Sequence, residues 1–306
     1  MKLKRTLTLI LSLIMVLAVF SACGSEPSAK PDDYSPVISA ENNKDESSPA
    51  KDVKLVSTAA DITEILDGLG YSEKIVLADI YSAGIGSVDS EVCTMDYLNP
   101  DVEAIAALSP DCVFVSGSST DGTVDPYAAF SELNIKVIYI PTASSIAGIK
   151  ENINAIAKEV SAETLAEEMN KAIDDAIDDA RKCAEGRETV SVYFEISAAP
   201  WLYTCGSDTF LDEIISACGG KNIYSETSGW ISNTEESVLT ANPAVIISNV
   251  MYDGYDFNEI YSRPGWDTLD AVKNSRVYSV DSDASSRGSQ NIVRAIEEIS
   301  KAICGE

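Results

Sequence analysis

Histidine is absent from all 306 residues. The commonest metal ligand and general base near neutral pH is therefore missing, which excludes ordinary zinc sites, Ser-His-Asp triads and Cys-His dyads. No CxxC pair, GxSxG, Walker-type phosphate loop or GxGxxG occurs either, so thiol-held metals, serine hydrolysis and nucleotide chemistry lack their usual signatures. Basic residues are scarce, 22 Lys and Arg against 49 Asp and Glu, for a formal net charge of −27. Nucleic acid and anionic headgroups are poor partners for such a surface. No resident cofactor or metal is expected.

What is present begins with Lys2, Lys4 and Arg5 ahead of an apolar run over residues 7–20. The run is short for a membrane span and has the form of a secretory signal. It closes on Phe20-Ser21-Ala22-Cys23, which resembles a bacterial lipobox, although Phe20 stands where leucine is usual. Residues 1–22 are read as the signal peptide and Cys23 as a lipidated anchor rather than a redox group. Residues 1–22 hold three basic and no acidic residues, so their removal takes the charge to −30. Residues 23–51 are Ser, Pro, Asn and charge with four of the eleven prolines. They read as a disordered tether with a reach of about 30 Å.

From residue 52 onward the chain is long enough for two cored lobes. Apolar strand-like runs at 53–57, 74–78, 111–116 and 135–140 alternate with helical patterns at 61–69, 101–108, 125–133 and 145–160. Continuous apolar strands alternating with helices predict a parallel sheet covered on both faces. Ligands of such sheets sit beyond the carboxyl ends of the strands. That edge holds Ser57-Thr58-Ala59, Tyr81-Ser82, Tyr97 and the loop 117–123. The first helix is expected to be capped by Asp61 or by Ser57-Thr58.

Residues 161–186, SAETLAEEMNKAIDDAIDDARKCAEG, have no proline and no internal glycine. Leu165, Met169, Ala172, Ile173, Ala176, Ile177, Ala180 and Ala184 recur in steps of three and four, one face of a helix about 36 Å long. Ser161 is the expected N-cap, Glu163 and Arg181-Lys182 suit the two ends of the dipole, and Gly186 is the stop. Its position between two strand-helix segments makes it a rod joining two lobes. Asp174-Asp175 and Asp178-Asp179 on its polar face read as solvated charge.

The second half repeats the alternation. Strands are expected at 189–196, 244–248 and 276–280, and helices at 209–217, 234–240, 264–272 and 289–303. Trp266, inside the third of these helices, is assigned to the core. Of the six remaining cysteines, Cys112 lies in an apolar strand and reads as a buried thiol. Cys218 and Cys304 both end helices and form a candidate disulfide. One segment echoes an earlier one: Glu103 lies seven residues before Pro110, and Glu236 seven before Pro243, each ahead of an apolar strand. A stock helix-to-strand connection with a dipole-favoured glutamate would give the same pattern.

Taken in order, KLVSTAADITEILDGLG, NPDVEAIAALSPDCVFVS, the long helix, SDTFLDEIISACGGKNIY with Gly229-Trp230, EESVLTANPAVIIS and RPGWDTLDAVKNSRVYSVD resemble the substrate-binding proteins of ABC importers for cobalamin, haem and iron-siderophore complexes. The resemblance covers residues 54–303. It implies an α/β fold of two lobes, each a mostly parallel sheet flanked by helices, joined by one long rigid helix. The lobes would span 52–160 and 187–306 around the helix at 161–186. It also implies a monomer that captures a metal chelate and delivers it to a permease and its ATPase, and that is not an enzyme. Glu103 and Glu236 match the acidic residues that pair with permease arginines. Thr58, Tyr81 and Tyr97 from the first lobe and Trp201, Trp230, Tyr252 and Arg287 from the second would line the cleft. Arg287 would hold an anionic group or cap the last helix. The candidate loops of the first lobe carry few basic residues for a tri-anionic siderophore. That favours a corrinoid or another near-neutral chelate, with tyrosine-held haem as the alternative. A tethered extracellular enzyme or a sensor on the same fold is the rival reading.

Overall fold

The computed structural model describes residues 52–120 and 125–305. The signal segment, Cys23 and the tether lie outside the described residues, as do positions 121–123 of the loop expected at the cleft.

The first half builds a five-stranded sheet from β1 (Leu55–Ser57), β2 (Ile75–Asp79), β3 (Cys93–Met95), β4 (Cys112–Ser116) and β5 (Lys136–Ile140), in the order β3-β2-β1-β4-β5 and parallel throughout. Its helices are α1 (Ala60–Gly68), α2 (Val102–Ala107) and α3 (Ile146–Val160). Alternate residues on a strand face opposite ways. In β4, Val113 and Val115 join Val56, Ile105, Tyr127 and Phe130 on the outer face. Cys112 and Phe114 face the other way, onto α1 and α3. β3, three residues long, is too short to stand out in the sequence, and the helix expected at 125–133 is a 3-10 helix, Ala128–Leu133.

The second half follows the same plan with β6 (Val190–Glu195), β8 (Gly220–Asn222), β10 (Val245–Ser248) and β11 (Val277–Ser279) in the order β11-β10-β6-β8. All three pairings are parallel. A separate antiparallel ribbon pairs β7 (Tyr203–Cys205) with β9 (Trp230–Ser232). The helices are α5 (Phe210–Ala217), α6 (Glu235–Ala241), α7 (Glu259–Ser262), α8 (Asp270–Lys273), α9 (Ser282–Ser286) and α10 (Ile292–Cys304). Tyr193, Ile246 and Val277 face an outer cluster around the fully buried Trp266, as expected of that tryptophan. Val192, Phe194, Val245 and Ile247 face the other way, into the same cluster that holds the inner face of the first sheet.

Between the halves runs α4 (Glu163–Ala184), 22 residues and about 33 Å long. Leu165, Ala166, Met169, Ile173, Ile177 and Ala180 are buried along one stripe. That stripe lies against α3 from the first half and against α5 and α10 from the second. The aspartates of the opposite face are exposed and paired with surface cations, Asp174 with Lys150 at 2.6 Å and Asp179 with Lys182 at 2.7 Å. Ser161 is not the N-cap. Its φ of 58° closes α3 in the left-handed region, and α4 starts at Ala162 without a side-chain cap. Two residues thus suffice to reverse the chain between α3 and α4. Likewise α1 starts at Ala59 with no side-chain cap, because Ser57 Oγ turns to the Ala59 carbonyl and Asp61 accepts from its neighbour Ile62.

Cys304 bonds to Cys183, not to Cys218, and so fastens the end of α4 to the end of α10. Cys218 is a buried free thiol, as is Cys112. Burial pushes both thiols up to about 12, which disfavours the nucleophilic thiolate. Beneath the carboxyl end of β6, the buried Glu195 receives a two-pronged bond from Arg263 (2.5 and 2.9 Å), which also bonds Glu259 and stacks 4.5 Å from the Trp266 ring centroid. Arg263→Ala would strand a fully buried carboxylate. A loss of about 3–5 kcal/mol is expected in urea unfolding, whereas breaking the exposed pair Lys182–Asp179 should leave the midpoint nearly unmoved, because solvent screens it.

Candidate ligand-binding cleft

A cavity of about 410 Å³ opens at the carboxyl edge of the first sheet and is walled by both halves of the chain. Each half contributes two aromatic side chains, Tyr81 and Tyr97 from the first, Phe210 and Trp230 from the second. The remaining polar wall includes Thr58, Asp61, Asp79 and Arg287.

Each of these groups is placed by local chemistry. Thr58 follows β1 and is fully buried; its Oγ1 accepts from the Ser116 amide at 2.8 Å and bonds Ser119 Oγ at 3.1 Å, tying the ends of β1 and β4 together. Asp79 ends β2, and its carboxylate accepts from the Tyr81 amide at 3.1 Å and from Ser82 Oγ. The resulting turn, Ile80–Ser82, buries Ser82 and throws Tyr81 out into the cavity. Tyr97 is held through its carbonyl, which accepts from the Tyr127 hydroxyl at 2.8 Å. Trp230 opens β9 and meets Phe210 edge to face at 5.8 Å, an arrangement that favours aromatic pairs. Phe210 is the first residue of α5, whose cap is Thr209. Only glycine fits at 206, where a Cβ would come within 1.9 Å of the Thr227 carbonyl oxygen. That close approach lets the Gly206 amide bond Gly229, next to Trp230.

Arg287 lies on the wall but its guanidinium is already engaged. It donates to Glu64 Oε1 at 2.6 Å and meets Asp283 at 2.9 Å. Glu64 is fully buried on α1, accepts also from Ser289 Oγ, and gives its backbone carbonyl to Gln290 Nε2 at 2.7 Å. Burial pushes the Glu64 carboxyl up from its ordinary 4.5, against the pull of Arg287. Arg287 does not cap the last helix, which starts at Asn291 without a side-chain cap. Burial likewise raises the Asp61 carboxyl above its ordinary 3.8, helped by the nearby Asp79 charge and opposed by its own bond to the Ile62 amide.

Thr58, Tyr81, Tyr97, Trp230 and Arg287, all expected at the cleft, thus meet around one cavity, together with Ser118 of the expected loop. Trp201 and Tyr252 are not in its wall. They are 81% and 58% exposed on the loops that follow β6 and β10, where Tyr252 packs on Tyr255. Sequence reasoning missed Phe210, Asp61, Asp79 and Glu64. The strand-end rule that picked out Tyr81 covers Asp79 as well, two residues earlier. Phe210 at a helix start is indistinguishable from a core residue until the ribbon brings Trp230 against it.

Glu103 and Glu236 sit in the first turns of α2 and α6. Each helix ends in a left-handed residue, Ser109 or Asn242, then a buried proline, then the strand that pairs with the first strand of its own sheet. Both glutamates are exposed, and neither pairs with a described cation.

Two like-built sheets, one long helix between them and an aromatic cavity shared by both halves define a two-lobed ligand-capturing protein. The profile of the Periplasmic binding protein family matches residues 55–284. The uncharacterized ABC transporter substrate-binding lipoprotein YvrC of Bacillus subtilis (strain 168) is 27% identical over 305 residues, 95% of each chain. The crystal structure of a "possible" iron-binding (periplasmic solute-binding) protein of Staphylococcus epidermidis ATCC 12228 superposes with a TM-score of 0.70 at 26% identity, covering 82% of this chain and 98% of that one. The periplasmic vitamin B12 binding protein BtuF of Vibrio cholerae has the same fold, with a TM-score of 0.65 at 20% identity over 82% of this chain and 96% of its own. The chain belongs to the periplasmic binding protein family. It is a substrate-binding protein of the ABC-importer type and not an enzyme.

The raised Asp61 carboxyl carries a stability consequence. A carboxyl that titrates higher in the folded state than its ordinary 3.8 destabilises the fold once ionised, so stability falls as pH rises through that interval. Asp61→Asn should therefore raise the melting temperature of the ligand-free protein at pH 7. The gain should vanish below the ordinary carboxyl value, where both side chains are neutral, as a thermal melt series in pH would record.

Proposed function

We propose that this chain is an extracytoplasmic lipoprotein, anchored through Cys23, that captures a macrocyclic metal chelate between its lobes and passes it to an ABC permease and its ATPase. A corrinoid is the favoured chelate. The observation that carries this reading is the cavity itself, with two aromatic side chains from each lobe. Flat rings give a large contact area for few frozen rotors, which suits a flat guest. Curated relatives support the corrinoid: vitamin B12-binding proteins of Vibrio campbellii and Yersinia pestis are 22% and 24% identical over 80% and 63% of this chain. The lobes are taken as 52–160 and 187–306, with 161–186 between them. A helix that packs on both lobes along its whole length favours a small closing motion over a wide hinge.

Glu103 and Glu236, unpaired and equivalent in the two lobes, are proposed to register the protein on permease arginines. Charge complementarity of this kind sets orientation more than affinity.

Two measurements test the proposal. Titration of the purified protein with cyanocobalamin, followed by tryptophan fluorescence, should saturate, and Trp230→Ala should weaken binding about tenfold or more, about 1.4 kcal/mol per decade. No saturation would count against the corrinoid. Glu103→Arg and Glu236→Arg should each lower uptake in cells while leaving the affinity for cyanocobalamin unchanged; a parallel loss of ligand binding would remove the docking role.

A further inference from the structure

Capture clefts set ligand charge with the ionised groups on their walls. Here those groups are uneven. Among the described wall residues the charged ones are Asp61, Asp79 and Arg287. Arg287 is already satisfied by carboxylates on either side, Glu64 at 2.6 Å and Asp283 at 2.9 Å. Glu64 is fully buried, reaches Arg287 from behind the wall, and is held there by Ser289 Oγ. Its position is set by α1, the same helix whose first turn presents Asp61 to the cavity. Asp61 and Asp79 form no ion pair at contact distance among the described residues, and the charge of Arg287 reaches them only across the wall. Asp79 spends its oxygens on the Tyr81 amide and Ser82 Oγ, and Asp61 spends one on the Ile62 amide.

We infer that Glu64 is a specificity-determining residue for ligand charge. By neutralising Arg287 it leaves the wall with the negative potential of Asp61 and Asp79, so the cleft takes a net-cationic or neutral chelate and refuses one that presents carboxylates. A neutral residue at 64 would return Arg287 partly to the cavity and shift the preference toward an anionic guest. Glu64 acts through Arg287 and need not touch the ligand. This inference rests on the macrocycle reading above and adds the sign of the charge.

The test uses three flat chelates of graded charge. These are aquacobinamide (cationic, without the phosphate-bearing nucleotide), cyanocobalamin (neutral) and haemin (two propionates), each titrated against the purified full chain. The expected order of affinity is aquacobinamide, cyanocobalamin, haemin, with about tenfold or more between first and last. Added salt should shrink the advantage of aquacobinamide. Glu64→Gln should narrow or reverse the order, with haemin gaining about tenfold relative to aquacobinamide. A merely destabilised fold would weaken all three together and leave the ratio unmoved, which would overturn the role of Glu64. If Glu64→Gln does not fold, Asp61→Asn, which faces the cavity, should lower the ratio of aquacobinamide to haemin affinity several-fold. An unchanged ratio there would overturn the charge preference. Haemin binding above both corrinoids in the unaltered protein would overturn it as well. Failure of all three to bind would instead bring down the macrocycle reading and this inference with it.

Discussion

The stripe of apolar side chains along α4 is the constraint on which the rest of this molecule depends. Leu165, Met169, Ile173 and Ile177 belong to one continuous core that takes in the inner faces of both sheets. Each such side chain contributes about 1.5–3 kcal/mol when fully buried, and those along the stripe meet helices of both halves. The two sheets are therefore not independent bodies on a string. The contact of α4 with α3 on one side and with α5 and α10 on the other, completed by the Cys183–Cys304 bond, fixes the spacing at which the carboxyl edges face each other. The cleft exists because that spacing is held.

A second link crosses between the lobes beside the cavity. Glu64 on α1 joins Arg287, Ser289 and Gln290 just ahead of α10. A buried carboxylate is costly unless paired and bonded on its remaining lone pairs, and this one meets both conditions only because two distant segments converge. The same network couples the position of the wall to its charge. Aromatic contact area and electrostatic sign are thus set by different residues: the rings by short turns and the ribbon, the sign by ion pairs behind them.

Much of this was legible before any coordinates. The period of 3.6 in the long helix, the continuous apolar runs of the central strands and the glutamate-proline echo all reflect burial patterns that depend on neighbours in sequence. The misreadings share a cause. Ser161 carries the side chain of an N-cap, yet its backbone is used to end α3, because two helices packed antiparallel need a reversal there. Cys218 and Cys304 both end helices and are the pair expected from the sequence, but the line of α4 beside α10 brings Cys183 to Cys304 instead. Trp201 and Tyr252 obey the same strand-end rule as Tyr81 and lie exposed on their loops, outside the wall of that cavity. Phe210, at the head of a helix, carries no strand-end signal, yet it lines the cavity.

By itself the sequence determined the class of fold, the long helix between its two halves and the exclusion of histidine-based chemistry. These follow from local periodicity and from which side chains are present. Only the tertiary structure decided which aromatics share a cavity, which cysteine closes the bond, and that Arg287 is neutralised before any ligand arrives. Those outcomes depend on residues up to 226 positions apart bonding in space, and no local pattern in the chain encodes such a meeting.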